Sequence, residues 1–426
     1  MFPCLVWRAG LHAARSLRIG AVLFTLTVSP QAIAQTLNLH EVMQRAAQAD
    51  PTTAATAARI EAAQAGVRQA GVRPLDSITL DAENFAGTGN YGPPNMAEST
   101  AWYERTWERA SKRHARIDAA RSELGVVAQR GRLRTLDMLE RVEQAWVEAL
   151  AAQAAIAVAD EHLRVTREVE GEVGRRVSAA LDPLFTVQRA RTDVAQARIA
   201  RDQAVQAARI ARDRLALYWG GTGDFALDSA PFEVLGGAGA ATGDSPDLEL
   251  LTAERDAAGA RVRMEESKNV ADPTVKAAVR HLAQTNDVAL VVGASIPLGT
   301  RKANRANVER AMAEQSAAEA ELTVSRIERD REIAGLVAVR SAIASEVERI
   351  ERDVLPSARR SVSLVQDGLR RGGLAFTYLE ASNARTVVTQ ARQRRVDLLR
   401  RYHLAGARID RLTGRYAYLL SSAENR

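Results

Sequence analysis

The chain has 426 residues, 46% of them hydrophobic but only 4% aromatic, and a formal net charge of +6. A pI near 9.7 would suit a nucleic-acid binder, yet the arginines alternate with acidic residues, as in "RIERDREI" and "SEVERIERDV". That is the pattern of a solvated helix face, and it excludes nucleic acid as the expected partner. The single cysteine, Cys4, lies within the first 34 residues, which leaves the rest of the chain without disulfides or thiolate metal sites.

Those 34 residues read as a secretory signal peptide. Arg8, Arg15 and Arg18 precede the apolar run from Ile19 to Val28, Pro30 breaks it, and Ala32-Ile33-Ala34 supplies the small residues of a cleavage site. Cys4 precedes the apolar run and has no lipobox, so no lipid is expected on it. With three arginines gone the charge falls from +6 to +3. The remainder has no apolar run long enough for a transmembrane helix, so any passage through a membrane would be by strands.

In chain order, Asn38-x-x-Glu41 is a capping box opening a helix over 39–49, and Asp50-Pro51 ends it and starts another to about Val72. After Pro74 a strand near 77–85 sets Ile78, Leu80 and Ala82 on one side, with Ser77, Thr79, Asp81 and Glu83 on the other. Its partner near 99–107 alternates less cleanly, because Arg105 falls among Ala101, Tyr103 and Trp107. Trp102, Tyr103 and Trp107 are expected at a membrane interface. A proline-free helix follows over 110–178, on the order of 100 Å long at ~1.5 Å per residue. A short tip leads to a returning helix over 184–218, stopped at Gly220.

Residues 220–244 form a Gly-rich connector. The order then repeats: a helix over 247–270, Pro273, strands near 275–283 and 288–296, a long helix over 299–371 broken only by Pro356, and a returning helix over 374–413 before a tail, 415–426. Val275, Ala277 and Val279 share one face, as do Val288, Leu290, Val292, Ala294 and Ile296. In the second long helix Ile333, Leu336, Ile343, Val347, Ile350 and Val354 make a narrow coiled-coil stripe. "ARTDVAQAR" (190–198) and "ARTVVTQAR" (384–392) agree at seven of nine positions with an offset of 194, the same offset that separates Gly220 from Gly414. The halves 35–219 and 245–414 are therefore read as tandem repeats.

The expected fold is mainly α with a small β part. Four strands cannot close a barrel, for which about eight is the practical minimum. Three copies would supply twelve strands for a shared transmembrane β-barrel, and long coiled-coil helices for an α-barrel below it.

With those elements in place, the sequence resembles the TolC-like outer-membrane efflux protein family. "TLNLHEVMQRAAQADP", "VLPSAR" and "GLRRGGLAFTYLEASNAR" carry the general likeness. "AENFAGTGNYG", Glu98-Ser99-Thr100 and "ERASKRHAR" resemble the hairpin elements of its cation-efflux (CzcC-like) branch, filled here by Glu83, Asn84, Gly87, Gly89, Glu98, Thr100, Glu108, Lys112, Arg113 and Arg116. The departure is Ala110-Ser111, where two glycines are usual, which puts the turn from strand to helix in question. The resemblance implies a homotrimer in outer-membrane lipid that docks on a periplasmic adaptor and an inner-membrane RND pump and passively conducts substrates, heavy-metal cations foremost. It implies adaptor-docking tips at Ala180, Leu181, Gly372, Gly373 and Leu374, and a periplasmic gate drawing on Asp182, Asp367 and Glu380. Drug efflux or type I protein secretion would use the same architecture, and a soluble periplasmic coiled-coil scaffold is the reading from another class.

No catalytic constellation is expected, and no cofactor or resident metal. His40, His114, His162, His281 and His403 are widely spaced, and HExxH, P-loop and Gly-x-Ser-x-Gly motifs are missing.

Overall fold

The structure is a computed structural model, and it describes residues 36–91, 94–236, 245–371 and 377–419. The signal peptide, residues 237–244 of the connector and the second-tip residues Gly372, Gly373 and Leu374 lie outside the described residues.

Strand β1 (Thr36–Leu37) leads into α1 (Leu39–Ala49), where Asn38 and Glu41 form the expected reciprocal cap. Asp50 then accepts from the Thr52 backbone at 2.8 Å and starts α2 (Thr52–Ala70). The first hairpin is β2 (Ser77–Glu83) and β3 (Glu98–Thr106). Helix α3 (Lys112–Ser178) runs 67 residues without a break, and α4 (Leu184–Ala216) returns along it. A short β4 (Ala226–Leu227) pairs in parallel with β1. The second half follows as α5 (Pro246–Ser267), β5 (Thr274–Leu282), β6 (Asp287–Ser295), α6 (Thr300–Arg349), α7 (Leu355–Arg370) and α8 (Tyr378–Leu412).

The second long helix is not the single piece expected over 299–371. A π-turn, Ile350–Val354, separates α6 from α7. Pro356 explains it: the ring has no N–H to give and crowds the carbonyl four residues back, and the wider turn relieves both.

Helix α3 is the hub. It packs on α2 and α5 towards the sheet and on α4 and α8 towards the tips, while α6 packs on α5 and α8, and α7 on α8. The wall thus reads α2–α3–α5–α6 in one layer and α4–α3–α8–α7 in the other. The main core joins Leu139, Val142, Trp146 and Leu150 of α3 to Leu398, Leu399 and Tyr402 of α8, with Val42 and Met43 of α1 and Phe232 packed in. All four longer strands form one antiparallel sheet, β2-β3-β5-β6, so β3 and β5 join the two hairpins and β2 and β6 are its edges.

The halves coincide in detail. Gly220 and Gly414 have φ of +68° and +66°. Each follows the same pair of bonds, Gly220 to Leu217 and Gly221 to Ala216 in one, Gly414 to Arg411 and Arg415 to Asp410 in the other. Ala197 and Ala391 are both buried, but Arg191 is exposed where Arg385 is buried. The repeat sets backbone register, not environment.

Candidate functional site

Strand pairing carries the alternation of side chains across the whole sheet. Ile78 pairs with Tyr103, Tyr103 with Ala277 and Ala277 with Val292; beside them run Leu80, Ala101, Val279 and Leu290. These share one face, and it is bare: Leu80 is 77% and Leu290 83% exposed. Contiguous exposed apolar surface of this kind marks contact with lipid or protein. Arg105, the residue that spoiled the alternation, sits at the strand end 3.8 Å from Asp76. Trp102 departs from expectation. Pairing with Thr79 and Ala278 places it on the face opposite Tyr103, because successive side chains of a strand alternate.

That opposite face is charged. The Arg280 guanidinium is 3.0 Å from Glu98, donates to the Thr100 hydroxyl at 3.1 Å and lies 4.0 Å from Glu83. One level along, Lys276 meets Glu104 at 2.6 Å. Three of the hairpin residues singled out in the sequence therefore converge on Arg280, which the strand pattern put on the polar side without naming its partners. The remaining hairpin positions serve the turn. Asn84 has φ +57° and Gly89 φ +65°, and a side chain on Gly87 would begin 3.0 Å from Tyr91.

Below the sheet, the basic residues tie strands to helices. Arg116 pairs with Glu108 and donates to the carbonyls of Ala70 at 3.2 Å and Val72 at 3.1 Å, orphan acceptors at the end of α2. Lys112 reaches the Val270 carbonyl at 2.6 Å and Asp272 at 2.7 Å, just past α5. The second half repeats the device with neutral groups: Thr300 donates to Asn269 at 3.1 Å and Asn304 to the Glu265 carbonyl at 2.7 Å. Arg113 is half-buried beside this network. The missing glycine pair has a backbone consequence, since Ala110 and Ser111 both take left-handed φ, +57° and +55°, where Gly299 holds the corresponding place in the second half at +75°.

At the first tip Ala180 has φ +58° and the Leu181 N–H donates to the Arg176 carbonyl at 2.9 Å. Arg176 is 5% exposed and grips Asp182 at 2.8 and 3.1 Å. Leu181 is half exposed, and Leu184 and Phe185 beside it are more so. At the second tip Asp367 pairs with Arg370 at 2.8 Å. Glu380 caps α8 by accepting from the Thr377 backbone and hydroxyl, and these bonds hold its carboxyl below the usual range. Each of the three carboxylates expected at a gate is thus engaged within its own chain. Arg176, Leu184 and Phe185 were not singled out in the sequence.

Among the described residues no cluster of three or more His, Asp or Glu is arranged to hold a metal, and no helix is long and apolar enough to cross a membrane.

Residues 238–415 match the family model described as outer membrane efflux protein. The chain is 25% identical over 403 residues to the cobalt-zinc-cadmium resistance protein CzcC of Cupriavidus metallidurans, covering 91% of this chain and 92% of that one. It is 28% identical over 323 residues to the nickel-cobalt-cadmium resistance protein NccC of Alcaligenes xylosoxydans xylosoxydans, covering 73% and 72%. In structure it resembles the outer membrane protein VceC of Vibrio cholerae, with a TM-score of 0.69 at 20% identity over 88% of this chain and 96% of that one.

Proposed function

We propose that the chain is a member of the outer membrane efflux protein family, which its second half matches, and that it is the outer-membrane exit duct of a tripartite efflux system. It works with a periplasmic adaptor and an inner-membrane RND pump, and its cargo is divalent heavy-metal cations. The observation that carries this reading is the two-faced sheet: an exposed apolar face backed by a charged one, across four strands whose outer edges are unpaired. Strands of 7 to 9 residues approach the roughly 9–11 residues of a tilted transmembrane β-strand. Apolar outside and charged inside is the pattern of a wet barrel.

The edges argue for assembly. One side of the wall ends in β2, α2 and α4, the other in β6, α6 and α7. Unlike edges join head to tail, and such contacts close into a ring when the rotation permits. Three copies bring the strands to twelve. The first tip, where Leu181, Leu184 and Phe185 are exposed, is an adaptor-docking end; the docking residues expected at the second, Gly372, Gly373 and Leu374, lie outside the described residues. Asp182, Asp367 and Glu380 act there by holding the tips in shape, through Arg176, Arg370 and Thr377, rather than as free cation attractors.

The test is deletion of the gene followed by growth on cobalt, zinc, cadmium and a drug panel, beside membrane fractionation and bilayer recording of the purified protein. Loss of metal tolerance with a conducting outer-membrane trimer is expected. A protein found wholly in the soluble periplasm would overturn the duct, and loss of drug tolerance alone would overturn the cargo.

A further inference from the structure

We infer that the cleft between α3, α7 and α8 is a binding site for a small organic carboxylate with an apolar body. The cleft holds about 370 Å³, within the range of small-molecule sites. Four guanidinium groups line it, those of Arg164, Arg359, Arg385 and Arg392, against the two carboxylates Glu161 and Glu168. Both carboxylates are already spoken for. Arg164 holds Glu161 at 2.8 Å and is also paired with Glu168, and Arg392 stands 3.8 Å from Glu161.

Arg385 has no such partner. It is 8% exposed, and its Nε is buried with no hydrogen bond. Burial draws its pKa down, with Tyr378 and Glu168 opposing only at a distance. A guanidinium cannot shed its proton at physiological pH, so a buried one without a counter-charge is a standing cost that an oxyanion would relieve. Arg359, on the exposed rim of α7, adds a second cation without an ion pair. Thr389, held at 3.1 Å by His162, supplies a hydroxyl on the same wall. His162 itself is kept neutral by its burial and brings no competing charge. The rest of the lining is Gln366 and four valines, at 158, 165, 362 and 388; the valines suit the body of an aliphatic or aromatic acid and give nothing to a hydrated inorganic ion.

This inference stands apart from the duct reading, since binding is measured on the purified full-length chain whether or not it conducts. The probe is para-fluorobenzoate followed by fluorine NMR, with para-fluorobenzylamine as the cationic counterpart and inorganic phosphate as competitor. Saturable binding of the acid is expected, weakened at least about tenfold by Arg385→Gln and by Arg359→Gln, as for loss of a charge-assisted hydrogen bond. The amine should not bind. Equal affinity in wild type and both variants, equal binding of the amine, or phosphate competing as well as benzoate itself would each overturn the proposal. If Arg385→Gln fails to fold, the rim variant Arg359→Gln decides alone.

Discussion

The two long helices follow their hairpins in the same order and live in different surroundings. Of the 67 residues of α3, seventeen are buried; of the 50 residues of α6, five are. The first is covered on both flanks by α2, α4, α5 and α8, whereas the second stands at the edge of the wall with Val324, Ile327 and Val339 about half exposed. Turn geometry is alike in the two halves, but position in the wall decides which long helix is core. In the proposed ring, the apolar residues of this edge helix are the ones a second copy covers.

The sharpest way to break that contrast is at its extremes. Trp146→Ala in α3 should cost about 3–5 kcal/mol, as for other large-to-small core changes, read from the denaturant midpoint. Ile327→Asp in α6 should leave helicity intact and reduce the trimer fraction in native mass spectrometry; an unchanged trimer fraction would mean that α6 is not the joining edge. Next in size, Arg176→Ala strands Asp182 at the first tip and should cost about 3 kcal/mol by breaking a buried pair. Limited proteolysis near residue 180 would show it, while Arg370→Ala at the exposed pair of the second tip should change little.

Burial also separates the two helices in their carboxylates. Every carboxylate of α6 is exposed or half-buried, but Glu143 of α3 is buried beside Tyr416, which donates to it at 3.1 Å. Burial first, then the charge of Asp410, pushes it up from 4.5 to about 8. Between those pH values the folded chain keeps a proton that the unfolded chain has released, so stability falls as pH rises through the window. Glu143→Gln should flatten that slope, checked by unfolding midpoints at about pH 5 and about pH 8; a slope equal to wild type would exclude Glu143 as its source. The smallest effect expected is a gain. Replacing both Ala110 and Ser111 with glycine relieves two left-handed residues, worth about 1 kcal/mol or more together, while Gly299→Ala at the matching place in the second half should lose about as much, both by thermal unfolding.

Much of this was legible in the chain itself. The helices, the offset of 194 and the apolar faces of the strands follow from local periodicity, which the backbone obeys wherever it lies. The convergence of Glu83, Glu98 and Thr100 on Arg280 was not, because it joins residues about 180 positions apart through the pairing of β3 with β5. The Arg176–Asp182 grip and the loneliness of Arg385 were hidden for a related reason. In a chain where arginine and acid alternate on nearly every helix, spacing alone does not tell a solvated charge from a buried one.

The π-turn at Ile350–Val354 works as a phase shifter. One extra residue in a turn rotates everything beyond it by about 100°, so the faces that α6 and α7 turn to α8 are offset from each other. Leu355 and Ala358, both buried just past the turn, owe their inward aim to that added residue. Proline at 356 fixes the shift in place, at one joint of one helix.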